Sequence, residues 1–183
     1  FPHDHKLPAL PRVVDPGFVR GCVVANLARF TLPTGSEATP PATDCAGIRF
    51  DRIKYMPDKR CVLRYQADLV DTQGASRTVT FFGKTYPDAR SADLFASQAS
   101  AWEQLTAQGA ALGVPRPLLH LEAEHTIWLE DWGGLPLIEA ARERSWDELV
   151  TRAAAAVAAL HCSRITGFPP APTPDQVLQT ALE

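Results

Sequence analysis

The chain has 183 residues, 45% hydrophobic and 21% charged, with a formal net charge of −3 at pH 7. This composition excludes a disordered or fibrous chain, and the slight acidic balance argues against a general nucleic-acid binder, which carries a basic surplus. No stretch approaches the roughly 20 apolar residues of a membrane span; the longest apolar block, Ala153 to Leu160, is short and alanine-rich.

Cys22, Cys45, Cys61 and Cys162 are scattered without CxxC spacing. They suggest neither a zinc site nor a disulfide framework, and they fit a reducing, cytoplasmic setting. Phe1 in place of Met reads as a trimmed start.

In chain order, residues 1–12 hold His3-Asp4-His5 and several prolines and read as an extended lead-in with a solvated tail. Asp15-Pro-Gly-Phe18 opens a helix through about Phe30, with Val19, Val23 or Val24, and Leu27 at helical spacing. Pro33 to Asp44 reads as a surface loop. Three strands follow: Ile48 to Tyr55, Cys61 to Val70, and Thr78 to Tyr86. The turns between them are Met56-Pro-Asp-Lys59 and Asp71-Thr-Gln-Gly74. Alternation places Cys61, Leu63, Tyr65, Ala67 and Leu69 on one face of the second strand. On the third, Thr80, Phe82, Lys84 and Tyr86 oppose Val79, Phe81 and Gly83.

Ser91 is the expected N-cap of a helix that ends near Gly109 and buries Leu94, Gln98, Ala101 or Trp102, and Leu105. Val114-Pro-Arg-Pro117 must be extended. Leu118 to Glu122 and Thr126 to Asp131 form a hairpin around Ala123-Glu124-His125, and Gly133-Gly134 ends the sheet. Ser145-Trp-Asp-Glu148 is a capping box for a helix with the apolar stripe Leu149, Ala153, Val157 and Leu160. After a proline-rich connector from Pro169 to Pro174, Thr173-Pro174-Asp-Gln176 starts another helix. The chain stops at Glu183 while that helix is still short, which reads as a truncated polypeptide.

Lys84 is the residue with the most chemical promise. Most strand lysines point into water, but this one shares a face with Phe82 and precedes a helix able to present a partner. An ammonium so held is a fixed point charge for phosphate oxygens. Arg49, Arg52, Lys54, Lys59, Arg60 and Arg64 crowd the first two strands. They read either as the solvated basic face of an edge strand pair or as a hairpin whose tip folds over a triphosphate. No GxSxG, HExxH, GxGxxG or GxxxxGK[ST] occurs.

Five segments resemble the aminoglycoside phosphotransferase/choline kinase group. They are Arg52-Ile-Lys-Tyr-Met-Pro-Asp-Lys-Arg-Cys-Val-Leu-Arg-Tyr65, Gly83-Lys-Thr-Tyr-Pro-Asp88, Val114-Pro-Arg-Pro-Leu118, Trp128-Leu-Glu-Asp-Trp-Gly-Gly-Leu-Pro-Leu137 and Ala158-Ala-Leu-His161. Together they cover about residues 48–165 in the group's order. The resemblance implies an α+β fold: a protein-kinase-like small lobe, with about five antiparallel strands and a packed helix, and the helical start of a large lobe. It divides the chain into an N-terminal extension (1–44), the small lobe (45–132), and a hinge with the truncated start of the large lobe (133–183).

The same resemblance implies transfer of the γ-phosphoryl of ATP, or GTP, with Mg²⁺, to a small-molecule hydroxyl. Lys84 would be the phosphate-binding lysine, and Pro57, Asp58, Lys59 and Arg60 the nucleotide-positioning loop. The Glu130 carbonyl and Trp132 amide would pair with the adenine edge. The group's helix glutamate has no plain counterpart, and Gln98 or Glu103 would stand in for it.

The group's His-Gly-Asp catalytic run is absent, so no catalytic residue or metal ligand is assigned, and the chain alone is expected to be inactive. His161 reads as a helix C-terminal residue favourable to the dipole. The expected function is therefore the nucleotide-side portion of a small-molecule phosphotransferase whose acceptor lies with the missing lobe. The alternative is a non-catalytic, pseudokinase-like nucleotide-sensing or scaffolding module. Neither a nucleic acid nor a membrane is an expected partner, and the sequence leaves the oligomeric state open.

Overall fold

A computed structural model describes residues 4–30, 41–109, 113–133, 137–142, 144–163 and 165–166. Three helices lead: α1 (Leu10–Val13), α2 (Pro16–Ala25) and α3 (Leu27–Phe30). Then come β1 (Ala42–Met56), β2 (Arg60–Asp71), β3 (Ser76–Thr85), α4 (Arg90–Ala107), β4 (Pro117–Leu121) and β5 (Thr126–Glu130). The elements α5 (Leu137–Ala140) and α6 (Trp146–Cys162) follow. The five strands form one antiparallel sheet in the order β1-β2-β3-β5-β4.

The sheet has two different faces, and alternation in β2 and β3 sets them. Cys61, Leu63, Tyr65, Ala67 and Leu69 are fully buried on one side, together with Phe81 and Trp128. The N-terminal helices cover this side: Leu7, Leu10, Val13, Val19, Val23 and Phe30 belong to the same core. The aromatic centre is tight, with the Tyr65 and Phe81 rings stacked at 4.9 Å and Phe81 4.9 Å from Trp128. Gly83 is required there, since a Cβ would sit 2.6 Å from the Tyr65 ring and 3.2 Å from Trp128. On the opposite face, α4 packs over β4, with Phe95 stacked on His120 and the Ser91 hydroxyl 3.1 Å from His120 Nε2.

Residues 4–12 are not a solvated lead-in. Asp4, Leu7 and Leu10 are buried, and the Asp4 carboxylate accepts the Lys6 and Leu7 amides in an Asx turn. The helix expected to run through Phe30 is two helices separated at Asn26, whose side chain donates to the Cys22 carbonyl. Asp15 does cap α2, accepting the Gly17 amide. The first strand begins at Ala42, inside the expected 33–44 loop; residues 33–40 lie outside the described ones.

Ser91 is not an N-cap. It lies within α4, buried, and spends its hydroxyl on His120. Leu94, expected in the buried stripe, is 40% exposed, whereas Ala101 and Leu105 are buried. Ser145 caps α6 as the capping box requires, accepting the Glu148 amide at 3.2 Å. Of the stripe on α6, only Leu149 is buried; Val157 and Leu160 stay exposed. Gly134 and the connector and helix expected from Pro169 onward lie outside the described residues. No helix among the described residues is long and apolar enough to cross a membrane.

Candidate functional site

Lys84 lies on the face of the sheet away from the N-terminal helices, because its neighbours Gly83 and Thr85 point into the buried side. Its cross-strand partners are Val62 of β2 and Ile127 of β5. The next row along the same face is Arg64, Phe82 and Leu129. The lysine stem is thus set among Val62, Ile127 and Phe82, in accord with the expectation of apolar cover.

This half-buried position depresses the ammonium pKa below its ordinary value, first through desolvation and then through the nearby Arg60 guanidinium. No ion pair to Lys84 forms among the described residues. Arg60 also influences Tyr86, whose phenol is pushed up by burial and drawn back by Arg60 and Arg90. Arg60, Lys84 and Tyr86 therefore form one neighbourhood with an excess of positive charge, and among the described residues no carboxylate pairs with Lys84.

The turn at Pro57, Asp58 and Lys59 is exposed and is fixed from beneath. Asp58 adopts φ 60°, and its amide donates to Asp4 Oδ2 at 3.1 Å. The same carboxylate oxygen accepts the Tyr55 hydroxyl at 2.9 Å. Burial pushes the Asp4 carboxyl up, but the hydrogen bonds from Asp58, Tyr55, Lys6 and Leu7 outweigh it and leave the group below its ordinary value. Sequence reasoning missed Asp4. Its signal was present: an aspartate three residues before an apolar Leu7, where a carboxylate caps the first turn.

Neither candidate for the helix partner of Lys84 is paired with it among the described residues. Gln98 donates its amide to the Pro115 carbonyl at 2.7 Å, fixing the approach to β4, and Glu103 is exposed on α4. Neither Gln98 nor Glu103 figures among the influences on the ammonium.

At the end of β5 the Glu130 amide donates to the Arg116 carbonyl at 2.9 Å, so only its carbonyl is left for a ligand. The Trp132 indole is 56% exposed and lies over Gly113, where a Cβ would collide with it. Between them, Asp131 reaches Arg64 at 3.5 Å and accepts the Gly133 amide at 2.8 Å. The Arg64–Asp131 pair, not foreseen from sequence, joins the open face to the segment after β5.

Arranged this way, one face offers a cationic patch at Lys84 and Arg60, apolar side chains at Val62, Phe82 and Leu129, and a strand-end carbonyl at Glu130. It can hold an anion attached to a flat apolar group. Among the described residues no group of three or more His, Cys, Asp or Glu is arranged to hold a metal ion. No family model, curated protein or solved structure matches this chain.

Proposed function

We propose that this chain is the nucleotide-side portion of an ATP-dependent, or GTP-dependent, phosphotransferase acting on a small-molecule hydroxyl. The observation that carries the reading is Lys84: a half-buried ammonium beside Arg60, with no carboxylate paired to it among the described residues. Burying a cation without a partner is costly unless an anion completes the site, and a triphosphate supplies that anion. The strand order β1-β2-β3-β5-β4, with a helix between β3 and β4, supports the reading, since it lets a hairpin tip and a β3 lysine face the same ligand. The base would lie on Phe82 and Leu129, next to the Glu130 carbonyl. Mg²⁺ would enter on the nucleotide phosphates, since the described residues give it no acidic cluster.

A second reading, a non-catalytic nucleotide-sensing module, is favoured by the engagement of Gln98 with Pro115. That contact commits the glutamine's amide to a carbonyl, at the helix position where a carboxylate would align such a lysine for transfer. Titration with a fluorescent ATP analogue, with and without Mg²⁺, tests the shared claim. Lys84→Ala should weaken binding by about tenfold or more, while the melting temperature stays within a few degrees. Unaltered affinity together with a large loss of stability would make the lysine structural and end the proposal. Transfer of a labelled γ-phosphoryl to a hydroxyl acceptor then separates enzyme from sensor.

A further inference from the structure

We propose that the groove along the outer edge of β3 binds an extended peptide segment, which adds as a strand beside Thr78 and Thr80 and sets an acidic side chain on Arg77. The groove lies outside the Lys84 face, and the inference stands apart from the nucleotide reading.

The edge follows from unequal pairing. β2 pairs with β3 from Ser76 to Thr85, but β5 pairs with it only from Phe81 to Thr85. Ser76 to Thr80, about 16 Å of strand, extends past the last β5 pair among the described residues, and only Thr80 has a neighbour in register there, Asp131. Hydrogen bonds at both ends of β3 fix the direction of its backbone groups. Asp71 donates to Ala75 on the β2 side, and Tyr86 donates to His125 on the β5 side. Odd-numbered residues of β3 therefore bond to β2, and even-numbered ones face β5. Past the end of β5, the N–H and C=O groups of Thr78 and the N–H of Thr80 point outward, while the Thr80 carbonyl faces Asp131, next in register after Glu130.

A groove of about 350 Å³ runs beside them, bounded by Asp131 and Gly133 and walled by Phe30 and Val79. Arg77 also lines it, and its Nη2 is buried with no hydrogen-bond partner among the described residues. Buried guanidinium nitrogens are normally paired, and a carboxylate is the complementary acceptor. Asp131, at the border of the groove, pairs with Arg64 and the Gly133 amide and makes no hydrogen bond to that nitrogen. Free backbone groups, an apolar wall and an unpaired cation together specify a strand with an apolar residue and an acid two positions apart. That is strand addition with side-chain selection.

The probe is the peptide acetyl-Thr-Val-Thr-Glu-Thr-amide, observed by amide NMR and hydrogen exchange. In the free protein the Thr78 and Thr80 amides should exchange fast, whereas those of Val79 and Phe81, bonded to β2, are protected. Peptide should shift and protect the two threonine amides. Replacing its Glu by Gln, or Arg77→Gln in the protein, should weaken binding about tenfold. Thr80→Pro should retain the fold, because edge strands accept proline where the N–H faces outward, and should lose the peptide. Should that variant not fold, Arg77→Gln and the exchange pattern decide. Slow exchange of Thr78 and Thr80 without peptide would overturn the proposal, as it would mean the edge is already covered. So would acetate displacing the peptide completely, since the site would then hold a small anion only.

Discussion

The Asp4 carboxylate accepts the Tyr55 hydroxyl at 2.9 Å, which ties the Asp4–Leu7 turn to the tip of the β1–β2 hairpin. The Asp58 amide joins the same oxygen, so one acid holds both the lead-in and the loop expected to cover a nucleotide. Replacement by asparagine keeps the shape but removes the charge that strengthens these bonds. Because the folded carboxyl titrates below the ordinary carboxylate range, its stabilising contribution is complete above that range and fades as pH falls through the lower folded pKa. Asp4→Asn should therefore melt below the wild type at neutral pH, with the gap closing in strong acid. A gap independent of pH would assign the effect to packing.

Gly83 should not tolerate a side chain, although it stands inside a strand where alanine is ordinarily the better residue. A methyl group would press on Tyr65 and Trp128, and overpacking of this kind costs about 1–3 kcal/mol. Urea denaturation of Gly83→Ala, followed by Trp fluorescence, should show a lower midpoint with an unchanged slope. A midpoint equal to wild type would mean that the aromatic cluster has slack.

Lys84 is a liability to the empty fold, and that can be measured separately from any ligand. Its depressed pKa means that folding disfavours the charged form, so stability rises with pH as the ammonium deprotonates. Lys84→Met should accordingly be as stable as wild type or more so at neutral pH, by about 1 kcal/mol or less. The advantage should vanish in alkali, where the wild-type lysine is neutral. Thermal melts across that range check it; a variant destabilised at neutral pH would reverse the sign.

The Tyr65 hydroxyl donates to the Val13 carbonyl at 2.8 Å inside the core, pinning α1 to β2. Tyr65→Phe leaves that buried carbonyl unsatisfied and should cost about 1–3 kcal/mol. Proteolysis near α1 should accelerate with it. Equal stability by denaturant titration would mean that water replaces the phenol.

The four thiols should separate by reactivity. Cys61 is buried and pushed up to about 11 by desolvation, and burial also raises Cys45 and Cys22. Cys162 is exposed near the end of α6. A chromogenic disulfide should modify Cys162 first under native conditions and reach the others on unfolding. Fast labelling of Cys61 would contradict its position in the core.

Much of the sheet was legible in the sequence because strand alternation is local. The buried set from Cys61 to Leu69, the turns at Gly74 and His125, and the side of β3 carrying Lys84 all follow from neighbouring residues. The caps at Asp15 and Ser145 were legible for the same reason. Partner choice was not. Ser91 has the sequence signature of a cap, yet the hydroxyl serves His120, a contact between distant residues. Gln98 looked like a lysine partner and holds a loop carbonyl instead.

What the sequence determined by itself was the period of each element and the identity of its apolar side, since these depend on backbone geometry and on residues within one or two turns. Only the tertiary structure decided which surfaces those sides meet: that the N-terminal helices cover the sheet opposite Lys84, that Asp4 reaches the hairpin tip, and that α6 leaves most of its stripe in water. The physical reason is that burial and long-range hydrogen bonds are settled by competition among all surfaces of the folded chain. A periodic pattern records that a face is apolar, not what will lie against it.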